Sequence, residues 1–379
     1  MDPTGSLQPA TEGGDAWSRA LWLGVAAWVC ALFFAAPSLH DFESDRLLRG
    51  RAGDYIRMCA DPLTTEIREQ FLHYRILPPL IVKALGGGKT VALALPPLAA
   101  ALTLGLVYLA FWRRFDGRIA WLATLMTATT SAVSWTNGMP GYPDSVAHLC
   151  LAALLLTRRS GWWAALVLAG ILADERLLLG LPFILWWHGP DTDRRDLCGM
   201  WAGAAVGVLA AVIARISLQR GWWGPGFSQP TLYPAMLRSL LSGRPWVGDW
   251  WTWWANVAGA FRWAWWIIAA GGWVAFKAGR KIQALLFAAS VAVATGLSFV
   301  IFDITRSVGF VFPALLLGLA WLVRSDAASA ARRLRLTVWA CFLTPSYWIA
   351  SAGLFWWWRP LVLRLLAYYT GHDPLDGWN

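Results

Sequence analysis

Apolar runs of about 20 residues, the length a helix needs to cross a bilayer, recur along this chain between short polar loops. Taken as spans, they predict about eleven crossings, at roughly 17–36, 79–112 with a turn near its start, 119–136, 145–157, 162–173, 177–188, 199–217, 254–276, 282–301, 308–323 and 335–356. The expected fold class is all-α, a polytopic transmembrane helical bundle. Residues 1–325 form its main membrane module, and 326–379 a last span with an interfacial tail.

The polar loops fall into two alternating kinds. Arg113-Arg114 with Arg118, Arg158-Arg159, Arg194-Arg195, Lys277 with Arg280-Lys281, and Arg332-Arg333 with Arg335 occupy every second loop. Short basic loops are cytoplasmic, which puts the amino terminus inside. The other loops then face outward, and they carry the acidic clusters: Asp41-Phe42-Glu43-Ser44-Asp45 with Asp54-Tyr55, Tyr142-Pro143-Asp144, Asp174-Glu175-Arg176 and Asp303-Ile304-Thr305-Arg306. Residues 162–188 admit two readings, one long helix or two short arms joined at Asp174. A single helix would set Arg158-Arg159 and Arg194-Arg195 on opposite sides, against the charge rule, so a hairpin is expected. Arms of about a dozen residues reach roughly 18 Å into a ~30 Å hydrocarbon layer, which implies a recess lined by protein and water.

Composition narrows the class. The chain is 58% hydrophobic and only 14% charged, with a mean hydropathy of +0.48, outside the range of soluble or disordered domains. Pairs and triplets among its 29 Trp residues fit rings anchored at the membrane interface. The net charge of +10 is dispersed over short loops instead of forming one face, so nucleic-acid binding is not expected. The five cysteines are scattered without a CxxC pair, which argues against a disulfide framework or structural zinc. The first sixteen residues lack the basic start of a signal peptide, so the first span is expected to be retained. Gly86-Gly87-Gly88-Lys89 lacks the spacing of a phosphate loop and reads as a turn.

Charges cost ~2.5 kcal/mol or more at mid-bilayer and usually mark a substrate path or active site. The loop 37–78 holds Arg46, Arg49, Arg51, Arg57, Arg68 and Arg75 among seven acidic residues, which suits either a solvated mixed-charge helix or a grip on an anion. Guanidinium forks match phosphate oxygens, and Arg75, at the mouth of a span, is the strongest case in that loop. Asp144 and Asp303 could equally be helix caps, and Arg306 could snorkel to headgroups. The run Asp41/Glu43/Asp45 is a candidate for Mg²⁺ or Mn²⁺, with neighbouring arginines competing for the same oxygens. Residues 219–254 read as a Trp-, Gly- and Pro-rich interfacial lid, and the tail from Trp356 as a basic aromatic surface helix.

With its acidic pair just beyond the first span (Asp41 and Glu43), the Asp54-Tyr55 step and further polar motifs in later outer loops, the chain up to about residue 325 resembles the GT-C superfamily of integral-membrane glycosyltransferases. The resemblance implies a polyprenyl-phosphate-linked sugar donor, a glycan, lipid or protein acceptor outside the cytoplasm, and a setting in a bacterial inner or plasma membrane. It also implies an inverting displacement assisted by an outer-loop carboxylate. Such chemistry needs a base for the acceptor's proton and positive charge at the departing phosphate. Asp41 is the first candidate base, followed by Asp54 and Glu43; Arg176, Arg306 and Arg75 are candidates for the phosphate, with Tyr55, Tyr142, Asp144, Glu175 and Asp303 lining the site. The competing expectations are a transporter or flippase of an anionic lipid or sugar conjugate, and a catalytically silent subunit of an envelope complex.

Overall fold

The computed structural model describes residues 13–34, 51–67, 70–138, 142–189, 192–224, 226, 238, 242, 250–299, 304–344, 347–350, 353–356 and 369–370. Sixteen α-helices dominate these residues: α1 (Gly13–Phe34), α2 (Arg51–Ala60), α3 (Leu77–Ala84), α4 (Lys89–Trp112), α5 (Gly117–Ala128), α6 (Ser131–Gly138), α7 (Asp144–Leu154), α8 (Ser160–Ala173), α9 (Leu177–His188), α10 (Arg194–Gln219), α11 (Trp250–Phe261), α12 (Trp265–Lys277), α13 (Lys281–Ser298), α14 (Ile304–Gly309), α15 (Phe312–Ser325) and α16 (Ala327–Leu343). Tyr347–Ala350 and Gly353–Trp356 pair as a short antiparallel hairpin, β1 and β2. The described fold is otherwise all-helical.

Among the described residues, four helices are long and apolar enough to cross a membrane: Asp15–Phe33 within α1, then α4, α10 and α13. The apolar helices α7, α8, α9 and α15 are shorter, at 11 to 14 residues. At 1.5 Å per residue these reach only ~16–21 Å. This is the composition of a membrane protein with short elements packed inside it.

Close approach of small residues holds the long elements together, as expected where the solvent is as apolar as the side chains. α8 packs chiefly on α10, α1 on α4, and α12 on α15. At the last contact Gly271 and Gly318 face each other so closely that a Cβ on Gly271 would meet the Gly318 Cα at 2.4 Å. α15 is buried from Phe312 through Val323 and forms the axis of the bundle, with α9 and α12 against it. Side-chain caps start α5, α10 and α16, where Asp116, Asp193 and Asp326 accept from the amides of Ile119, Asp196 and Ser329.

Several predicted spans are broken. The turn expected near the start of 79–112 lies at Gly86, Gly87 and Gly88, all at positive φ, which only glycine adopts without strain. The expected span 119–136 divides into α5 and α6 at Thr129-Thr130, whose hydroxyls bond back to the Met126 and Thr127 carbonyls. The span 254–276 divides into α11 and α12 at a 3₁₀ turn, Arg262–Ala264, whereas 308–323 is essentially one helix, α15, with the short α14 just before it. Two arms do meet at Asp174, which is extended (φ −163°, ψ 123°) between α8 and α9. The span 335–356 does not form: α16 stops at Leu343, and Thr344 turns extended (φ −87°, ψ 126°). Thr344 precedes Pro345, whose ring disfavours helical geometry at the residue before it. The hairpin follows.

Arg262 holds the junction of three of these ends. Its backbone is left-handed (φ 50°), and its guanidinium donates to the carbonyls of Cys341 (2.5 Å) and Thr344 (2.8 Å) and to that of Thr129. One cation thus satisfies the orphan carbonyls ending both α5 and α16.

Candidate functional site

Three buried arginines and two buried aspartates converge where α7, α9 and α14 begin. Asp144 opens α7, held there by Ser145, whose hydroxyl donates to the Pro96 carbonyl of α4 at 2.8 Å. Asp174 lies in the break between α8 and α9, and its Oδ1 accepts from the Arg176 amide at 3.0 Å, closing the turn that starts α9. Arg306 comes from α14. Arg75 follows the 3₁₀ turn Gln70–Tyr74.

Asp174 is the hub. Arg176 reaches it through Nε (2.8 Å) and Nη2 (2.5 Å), Arg75 Nη1 lies 3.0 Å from Oδ2, and Arg306 Nη2 lies 3.5 Å from the same oxygen. Arg306 also engages both oxygens of Asp144 through Nε and Nη2, and Arg176 Nη2 reaches Asp144 at 3.2 Å. Glu175 bridges outward, accepting from Arg75 at 3.2 Å and from Arg215 of α10 at 2.9 Å. Burial works to push the Asp174 carboxyl up, but Arg176 and Arg75 more than reverse it and hold it well below the usual carboxylate range. The same contest leaves Glu175 lowered to about 2, with Arg75 and Arg215 outweighing burial.

Aromatic rings wall the cluster. The Arg306 guanidinium lies 4.3 Å from the Tyr142 ring centroid and Arg176 5.1 Å from that of Phe310. His148, one turn beyond Asp144, is buried with its ring 4.3 Å from Phe310, and neither ring nitrogen has a hydrogen-bond partner among the described residues. Toward the open edge, Glu175 and Arg215 side chains are 21% and 33% exposed. Arg215 stacks on Tyr74 at 5.0 Å. Both the Tyr74 hydroxyl and Arg215 Nε lack a hydrogen-bond partner among the described residues.

The structure therefore brings together Arg75, Tyr142, Asp144, Glu175, Arg176 and Arg306 from four stretches of sequence. Asp54 and Tyr55 lie in α2, which packs on α3 and α4. Asp54 is buried and pairs with Arg57, while Tyr55 packs with Cys59, Val82 and Ala92. Asp41, Glu43, Asp45 and Asp303 lie outside the described residues, as do most of the expected lid and tail. No group of three or more potential metal ligands occurs among the described residues. Sequence reasoning passed over Arg215, Tyr74 and His148. Arg215 carried a signal, being the one charge between Asp196 and Arg220 in a long apolar run.

The chain matches no protein family, no curated protein and no solved structure.

Proposed function

We propose that the protein is a membrane glycosyltransferase of GT-C type, which moves a sugar from a polyprenyl-phosphate carrier to an acceptor on the extracytoplasmic side. The observation that carries this reading is the convergence of guanidiniums on one cluster, where Arg75, Arg176, Arg215 and Arg306 meet around Asp144, Asp174 and Glu175. A phosphodiester linking lipid to sugar is an anion whose oxygens suit such forks. It would enter at the edge where Arg215 is partly exposed and stacks on Tyr74.

In this reading Asp144 and Asp174 hold Arg176 and Arg306 rigid, and these two supply positive field at the departing phosphate without reorganising. Arg75, Arg215 and Tyr74 meet the phosphate itself. The base that takes the acceptor's proton comes from the stretch after α1, Asp41 first, with Asp54 in the first turn of α2 and Glu43 as the other carboxylates; any Mg²⁺ or Mn²⁺ would use Asp41, Glu43 and Asp45. The outward orientation follows from the basic loops, and charges among helices this short and broken call for a water-lined recess at the site.

The reading is tested by donor turnover in liposomes. Arg215→Lys keeps charge but loses the fork, and it should weaken use of a polyprenyl-phosphate sugar well beyond Arg333→Lys, an exposed control. Equal turnover in the two variants contradicts the assignment.

A further inference from the structure

A second charged site lies at the opposite end of the same helices. α7 begins at Asp144 and α9 just after Arg176; they run 11 and 12 residues, ~16–18 Å, before ending at Leu154 and His188. Around those far ends is a cavity of about 510 Å³ whose polar lining is Arg113, Arg114, Thr157, Arg158, Arg159 and His188. No carboxylate lines it among the described residues.

The arginines have unequal duties. Arg114 is committed to the end of α9, donating to the Trp187 carbonyl at 2.8 Å with its guanidinium 4.2 Å from that ring's centroid. Arg113 lies 5.7 Å from the Trp17 ring centroid. Arg158 and Arg159 have no ion-pair partner among the described residues, and they project from a loop that is itself fixed, because Trp163 Nε1 donates to the Thr157 carbonyl at 3.0 Å. His188 is buried beneath them, with Nε2 2.8 Å from the Leu154 carbonyl. The helix ends α4, α7 and α9 that meet here bring roughly half a negative charge each. That falls well short of four guanidiniums, so the cavity remains strongly positive.

We infer that this cavity binds a phosphate-bearing anion, either the headgroup of an anionic lipid or free phosphate, through Arg158 and Arg159 with Arg113 beside them. Bound there, the anion ties together the ends of α7 and α9 whose other ends carry Asp144 and Arg176. The site is independent of any transferase activity.

The test uses the full chain in detergent and compares Arg158→Gln/Arg159→Gln with Lys277→Gln/Arg280→Gln, which removes two charges from another basic loop. Phosphatidylglycerol, phosphatidylcholine and inorganic phosphate at constant ionic strength are titrated by native mass spectrometry and thermal unfolding. The wild type should retain phosphatidylglycerol over phosphatidylcholine, with affinity falling on the order of tenfold in the Arg158/Arg159 variant and holding in the control. Stabilisation by inorganic phosphate, with the same loss in that variant and no preference for phosphatidylglycerol, identifies free phosphate as the ligand. Equal loss in both double variants, or no loss in either, overturns the site. Unchanged circular dichroism of the Arg158/Arg159 variant separates lost binding from misfolding.

Discussion

Arg306 grips both carboxylate oxygens of Asp144 across 162 positions of sequence, in a setting where both side chains are almost fully buried. A buried pair of this kind resists loss of one partner far more than loss of both. Asp144→Asn should therefore cost ~3–5 kcal/mol of stability, and Asp144→Leu with Arg306→Met less than either single replacement. Thermal unfolding in detergent measures this, and additive losses in the double variant would show that the pair is not coupled.

At the Arg262 junction, cap and backbone strain can be separated. Arg262→Ala removes the charge-assisted bonds to three carbonyls and should cost about 2–3 kcal/mol. Arg262→Gly loses the same bonds but relieves the left-handed backbone, so it should be the more stable of the two by about 1 kcal/mol. Equal stabilities would mean that φ at this position relaxes in the variants.

The contact of α12 with α15 predicts opposite outcomes at adjacent glycines. Gly271→Ala drives a methyl into the Gly318 backbone and should cost a few kcal/mol, whereas Gly272 faces only the Phe287 side chain at 3.4 Å. Gly272→Ala should be neutral or slightly stabilising through helix propensity. Resistance to unfolding in a denaturing detergent ranks the two, and equal loss would contradict this helix packing.

Glu175 sets an acid limit. Because its carboxyl is held at about 2 in the folded chain, against an ordinary value of 4.5, its stabilisation is complete above pH 4.5 and is lost as pH falls toward 2. Unfolding of wild type against Glu175→Gln over that interval should show the steeper loss in wild type. Parallel curves would mean that Arg75 and Arg215 do not hold the ionised form.

The charged members of the buried cluster were more legible than the helix breaks. In a chain with few charges, each charge in an apolar context is informative, so Arg75, Asp144, Glu175, Arg176 and Arg306 could be picked out before their partners were known. Pairing itself is tertiary: nothing local says that Arg306 chooses Asp144, or that Arg215, four residues before the end of α10, reaches Glu175. Helix breaks failed for another reason. Apolar content over a long window is the same whether 119–136 is one helix or two, and the Thr129-Thr130 hydroxyls that divide it count only as mild polarity. Pro345, by contrast, was a visible stop within the span expected at 335–356, and the aromatic run beyond it reads as strand once that stop is applied.

The central claim is tested most directly by reconstituting the purified chain in liposomes with a panel of polyprenyl-phosphate-linked hexoses and pentoses and an envelope extract that supplies glycan, lipid and protein acceptors, and following release of free polyprenyl phosphate by mass spectrometry. Wild type should consume at least one donor. Arg215→Lys should lower donor use, and Asp41→Asn should abolish release while leaving donor binding and thermal unfolding intact. Donor binding without release by wild type, or unchanged release when Asp41, Glu43 and Asp54 are each replaced by the corresponding amide, would contradict the account.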